Sequence, residues 1–106
     1  MAQEHLSIYL NKLKGNLQAV RACISEQTQV WPVIKDDAYG HGAEMISRYL
    51  EPMVDGFCVV RVSEGIQLRK WGISCPILVF ESPQNATVSS YTAFDLIASV
   101  STKQHV

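Results

Sequence analysis

The run Val33-Ile34-Lys35-Asp36-Asp37-Ala38-Tyr39-Gly40-His41-Gly42 sets one lysine where an apolar stretch breaks into a glycine-punctuated turn. A primary amine condenses with an aldehyde to a Schiff base, and it reacts deprotonated, a form that an amine of ordinary pKa, about 10.4, rarely takes at neutral pH. At the mouth of an apolar strand a lysine is partly desolvated, which favours the neutral amine. Lys35 is therefore the first candidate for chemistry, as a nucleophile that captures a carbonyl. Tyr39 offers a phenolic hydroxyl on the turn just beyond it. His41, an imidazole between two glycines, either orients a neighbour or fixes the turn, and fixing the turn is the simpler use. Gly40 and Gly42 permit positive φ or a close backbone approach. Arg61 and Arg69 are further cations that either approach the site or lie exposed at element ends.

The elements that must position these residues alternate along the chain. Leu10, Leu13, Leu17, Val20 and Ile24 recur at helical spacing and predict an amphipathic first helix, which Gly15 weakens by about 1 kcal/mol relative to alanine. Val30 to Lys35 reads as a short apolar strand. Ala43, Ile46 and Leu50 mark a second helix that starts after Gly42 and ends before Pro52. Asp55-Gly56 is a turn, Phe57 to Val60 a second strand, and Ser63 the predicted cap of a third helix running through Arg69. Gly72 stands where a helix-terminating glycine belongs, with Trp71 covering the core beside it. Ile77 to Phe80 is a third strand. After the Ser82-Pro83-Gln84-Asn85 loop, Val88 and Tyr91 suggest a short helix and Phe94 to Val100 a fourth strand.

Strands written as continuous apolar runs are buried on both faces, as parallel strands covered by helices require. Two α/β architectures satisfy that pattern, a doubly wound open sheet and part of a (β/α)8 barrel. The first usually announces itself by G-x-G-x-x-G after its opening strand, and Tyr39-Gly40-His41-Gly42 is not that fingerprint. In a barrel, chemistry sits at the carboxyl ends of the strands, where Lys35 is expected.

Composition bounds the partners. With 106 residues, 47% apolar and 18% charged, the chain is long enough for one small core. A net charge of -1 with no basic stripe implies neither nucleic acid nor an anionic membrane surface. Met1 to Leu10 has no basic region followed by an apolar one, and no apolar run approaches the roughly 20 residues of a membrane span, so the chain reads as cytoplasmic. Cys23, Cys58 and Cys75 are an odd set without C-x-x-C spacing. Cys58 lies in an apolar run and Cys23 on a helical stripe, so buried thiols are expected rather than metal ligands or disulfides.

The lysine run, with its K-x-x-A-Y-G-H-G pattern at Lys35, Ala38, Tyr39, Gly40, His41 and Gly42, closely resembles the signature of the alanine racemases. The resemblance extends over essentially the whole chain. Ile8, Leu10, Leu13, Asn16-Leu17 and Arg21 look like the family's opening segment, Phe57 to Leu68 with Glu64 like its second strand and following helix, and Pro76 to Val79 like its third strand. There are departures: Asp36-Asp37 stands where the family more often has Ala with Asn or Asp, Pro32 falls inside the first strand, and Phe80 replaces a smaller aliphatic.

The resemblance implies a fold-type III pyridoxal-phosphate enzyme, with the present chain forming about the first half of its (β/α)8 barrel. Four expected strands are half of such a barrel, so residues 1–106 read as an N-terminal fragment, with the remaining strands and a C-terminal β-domain lying elsewhere. It also implies that Lys35 carries pyridoxal phosphate and moves the α-proton of alanine on one face, and that the Tyr39 hydroxyl contacts the cofactor phosphate. A tyrosine of the C-terminal domain of a second subunit would serve the opposite face of a homodimer. The product, D-alanine, would feed the peptidoglycan of a bacterial cell wall. A broad-specificity racemase, an amino-acid decarboxylase and a cofactor-binding fragment without turnover are the alternatives. The Tyr39-Gly40-His41-Gly42 turn argues against the decarboxylases.

Overall fold

The computed structural model describes residues 3–35 and 41–100. The chain divides into two compact units, Met1–Val30 and Trp31–Val106. The first is a single helix, α1 (Gln3–Cys23), on which Leu10, Leu13 and Leu17 share one face at the expected spacing. Cys23 is exposed rather than buried. At 100° per residue it lies about a third of a turn away from the leucine stripe, so the expectation for this thiol fails on geometry.

The second unit holds α2 (His41–Leu50), a 3-10 turn (Glu51–Met53), β1 (Phe57–Val59), α3 (Val62–Lys70), β2 (Ile77–Val79), α4 (Val88–Ala93) and β3 (Ile97–Ala98). The three strands pair in parallel in sequential order, Cys58 with Leu78 and Leu78 with Ile97. This is the repeated strand–helix–strand plan of an α/β barrel segment. Ile34, Phe57, Val59, Leu68, Ile77 and Val79 form the core between strands and helices. Cys58 is buried as expected, its Sγ donating to the Trp31 carbonyl at 3.7 Å, and burial pushes this thiol's pKa up.

The strand expected over residues 30–35 is reduced to one bridge, Val33 opposite Cys58. It is fastened by the Cys58 N–H donating to the Pro32 carbonyl at 2.8 Å and the Ile34 N–H donating to the Cys58 carbonyl at 2.9 Å. The preceding rung would need an N–H on Pro32, which has none. The following rung would use the Val60 N–H, which donates instead to Glu64 Oε1 at 3.0 Å. A proline on one side and a carboxylate on the other confine the pairing.

Helix boundaries also depart from expectation. α2 takes in His41 and Gly42 instead of starting after them, and buries Ala43, Ser47 and Leu50 along one stripe. The cap of α3 is Arg61, in extended conformation, not Ser63. Two glutamates decide this: Glu64 reaches back to the Arg61 N–H at 2.8 Å, and Glu81, from beyond β2, accepts the Val62 N–H at 3.1 Å. With the first helical donors satisfied, the helix begins ahead of Ser63. It ends as expected at Gly72, whose φ of +93° completes a Schellman turn, with the Gly72 N–H bonded to the Arg69 carbonyl and the Ile73 N–H to the Leu68 carbonyl. α4 closes in the same way through Asp95, at φ 53°. That turn takes up Phe94 to Leu96 and leaves only Ile97–Ala98 of the fourth expected strand. In the Asp55-Gly56 turn, a Cβ on Gly56 would lie 2.7 Å from the Trp31 ring and 2.8 Å from the Pro76 carbonyl, so only glycine fits.

Candidate active site at the carboxyl ends of the strands

Because all pairings are parallel, the chain leaves the sheet at one common end after Ile34, Val59, Val79 and Ala98. Lys35 is the first residue beyond the Val33 bridge rung to stand at that end, and it is exposed. Side chains alternate along a strand, and Ile34 is buried, lining a small cavity with Ala43, Val59 and Leu68. Lys35 therefore belongs to the opposite face, that of the register row Val33, Cys58, Leu78 and Ile97. The two end members of this row, Val33 and Ile97, are each 44% exposed. The partial desolvation expected for Lys35 is accordingly not supplied by the described residues, since the face it shares is open at its margins.

Beside this position, Val60, Arg61, Phe80 and Glu81 line a shallow concavity formed by the residues that follow β1 and β2. Phe80 is 46% exposed, an apolar ring held at the rim. Its backbone is fixed by the Phe80 N–H donating to the Val59 carbonyl at 2.9 Å, and the next residue by the Glu81 N–H donating to the Val60 carbonyl at 2.8 Å. The Tyr91 hydroxyl donates to the Glu81 carbonyl at 2.9 Å. Burial first, and the Glu81 charge second, push the Tyr91 phenol above its ordinary value and keep it a neutral donor.

Of the two arginines, Arg61 stands at this end, exposed and without a side-chain partner among the described residues. Arg69 does not. It lies at the far end of α3 and donates to the carbonyls of Phe94, Ile73, Cys75 and Asp95, each at 2.8 Å. Its role is to join loops at the amino end of the sheet. Tyr39 and Gly40 lie outside the described residues. The backbone of His41 opens α2, and its side chain lies outside what is described.

Two residues at this end escaped identification as site residues. Glu64 carries a local signal, since a glutamate three residues into a helix is the capping-box position. Glu81 carries none, because its helix partner is 19 residues away in sequence. Together they close the amino end of α3 to any external anion, so a cofactor phosphate has no place there. For a pyridine aldehyde the described residues supply one matching group, the primary amine of Lys35 at a strand end, which fits the aldehyde.

Comparison with known proteins agrees with this architecture. The family model described as alanine racemase, N-terminal domain, matches residues 8–106. The alanine racemase of Streptococcus pneumoniae strain 70585 is 37% identical over 93 residues, covering 88% of this chain and 25% of that protein. Among solved structures, the alanine racemase of Clostridium difficile 630 superposes with a TM-score of 0.78 at 35% identity over 86% of this chain and 25% of its own. That of E. faecalis superposes with a TM-score of 0.79 at 30% identity over 90% of this chain and 26% of its own. The chain thus spans about a quarter of the length of the relatives it matches.

Proposed function

Since the chain belongs to the alanine racemase N-terminal-domain family, we propose that it contributes the cofactor lysine and the first part of the barrel to a pyridoxal-phosphate-dependent alanine racemase. The observation that carries this is the position of Lys35, a primary amine at the carboxyl end of the first parallel segment of an α/β barrel. Bound pyridoxal phosphate supplies an electron-withdrawing ring that makes the α-proton of an amino acid removable. Lys35 Nζ would hold the group at its aldehyde carbon, and as a free amine it would remove or return the α-proton on its own face. Tyr39 holds the phosphate through its hydroxyl, a role supported by its place in the K-x-x-A-Y-G-H-G run.

Racemisation needs a second acid–base group on the opposite face, and the family resemblance assigns it to a tyrosine of the C-terminal domain of a partner subunit. The working unit is then a homodimer of chains that complete the barrel, acting in the cytoplasm to make D-alanine for peptidoglycan.

The test is borohydride reduction of the full-length protein with pyridoxal phosphate, followed by peptide mapping. The pyridoxyl label is expected on Lys35. Label on another lysine, or none, overturns the assignment.

A further inference from the structure

The end of the first strand is set by a side chain that belongs to neither partner of the pairing. In a parallel ladder the bonds are evenly spaced and alternate in direction, so after the Ile34 N–H has donated to the Cys58 carbonyl, the next bond runs from the Val60 N–H to the Ile34 carbonyl. That bond is absent. Glu64 Oε1 takes the Val60 N–H at 3.0 Å and the Arg61 N–H at 2.8 Å, and no described residue donates to the Ile34 carbonyl. Glu64 also borders the small cavity that Ile34 lines. The residue released from the ladder at this point is Lys35.

We propose that Glu64 is a positioning residue for Lys35: by occupying the Val60 N–H it ends the ladder at Ile34 and keeps the lysine at the rim, outside the sheet. The inference rests on the assignment of Lys35 as the cofactor lysine. Release from the ladder sets where the Lys35 backbone stands, and with it the point from which the side-chain amine reaches. A charged acceptor is well suited to win this competition, because hydrogen bonds to charged groups are stronger than those of a neutral amide pair. Glu64 makes two such bonds, so the backbone carbonyl of Ile34 does not displace it.

Removing the carboxylate separates this role from simple helix capping. In Glu64→Ala the Arg61 N–H loses its acceptor outright, whereas the Val60 N–H gains the Ile34 carbonyl. Amide hydrogen exchange on the full chain should therefore show Arg61 deprotected and Val60 still protected. Competitive acetylation of lysine amines, with Lys70 as internal reference, should show Lys35 labelled severalfold more slowly. Glu64→Gln keeps an acceptor but loses the charge, so it should move the parent pattern only part of the way towards that of Glu64→Ala, and it shows that the fold tolerates change at this site. Equal deprotection of Val60 and Arg61 in Glu64→Ala, or Lys35 labelling identical to the parent, overturns the proposal and leaves Glu64 a helix cap. Acetylation needs no cofactor, so failure of the borohydride experiment would sink the functional assignment without affecting this result.

Discussion

At the amino end of the sheet Arg69 donates to four carbonyl oxygens in two loops, while at the carboxyl end Arg61 has no side-chain partner among the described residues and Lys35 stands exposed. The contrast extends to the neighbours. Glu51 accepts the Ser74 and Cys75 N–H groups at 2.8 and 3.0 Å, and Arg48 donates twice to the Trp71 carbonyl, all at the amino end. Long polar side chains there reach across to backbone groups of neighbouring loops and tie adjacent helix–strand units together. At the other end the carboxylates Glu64 and Glu81 accept the Val60, Arg61 and Val62 N–H groups at the entry to α3, and the concavity beside Glu81 stays open. In (β/α) barrels one end carries stability and the other chemistry. Here that division is already written into a segment of three strands.

The largest effect that sharpens this comparison is at Lys35. In the full-length protein Lys35→Ala should abolish L- to D-alanine conversion, since in the proposed role one residue would both anchor the cofactor and move the proton. The same substitution should change unfolding stability by no more than about 0.5 kcal/mol, as expected for an exposed position. Measurable racemisation without Lys35, or a large loss of stability, would erase the distinction between the ends.

Arg69 is the converse case. Arg69→Ala should lower stability by about 2–3 kcal/mol, because several bonds to a half-buried charged donor are lost and four carbonyls must find other partners. Arg69→Lys should recover only part of the loss, since an ammonium cannot reproduce the planar fork that spans the Ile73, Cys75, Phe94 and Asp95 carbonyls. Urea unfolding measures both. Cofactor affinity per folded molecule should stay at the parent value.

How much of this was legible beforehand depended on whether the cause was local. The apolar runs at Phe57–Val60 and Ile77–Phe80 predict buried parallel strands because period and composition act within a few residues, and both strands are there. Gly72 was equally readable as a helix terminator. The length of the first strand was not, because Glu64, which takes the Val60 N–H, is known to face it only once α3 is folded. Arg69 was open to two placements for a similar reason. Its partners are backbone carbonyls up to 26 residues away, and every sequence supplies those. Tyr39, the second candidate site residue, rests on the motif alone.

Glu51 gives a smaller, pH-dependent effect at the amino end. Its partial burial raises the carboxyl pKa, but the Ser74 and Cys75 N–H groups and the Ser74 hydroxyl outweigh that and hold it below the ordinary 4.5. A folded pKa below the unfolded value stabilises the protein above the unfolded pKa, and the contribution is lost as pH falls through the folded one. The parent should therefore exceed Glu51→Gln in melting temperature near neutral pH, with the gap narrowing as pH falls below the ordinary 4.5 and through the lowered folded value. A constant gap would mean that the charge of Glu51 plays no part in fastening the Ser74–Cys75 loop.

The smallest effect tests whether the amino end is as well built as it could be. Asp95, at φ 53°, occupies a left-handed position where a non-glycine side chain costs roughly 1–2 kcal/mol, less for aspartate than for most residues. Glycine removes that cost but adds about 0.5–1 kcal/mol of backbone entropy to the unfolded chain. The link to Arg69 runs through the Asp95 carbonyl, which glycine retains, so that hydrogen bond survives the substitution. Asp95→Gly should accordingly raise stability slightly, by about 0.5 kcal/mol, and Asp95→Ala should lower it, because alanine has neither glycine's freedom nor aspartate's short polar side chain. Denaturant midpoints at unchanged slope decide the sign. A loss with glycine would show that the aspartate side chain itself contributes to the turn, and that the Arg69 linkage depends on more than backbone carbonyls.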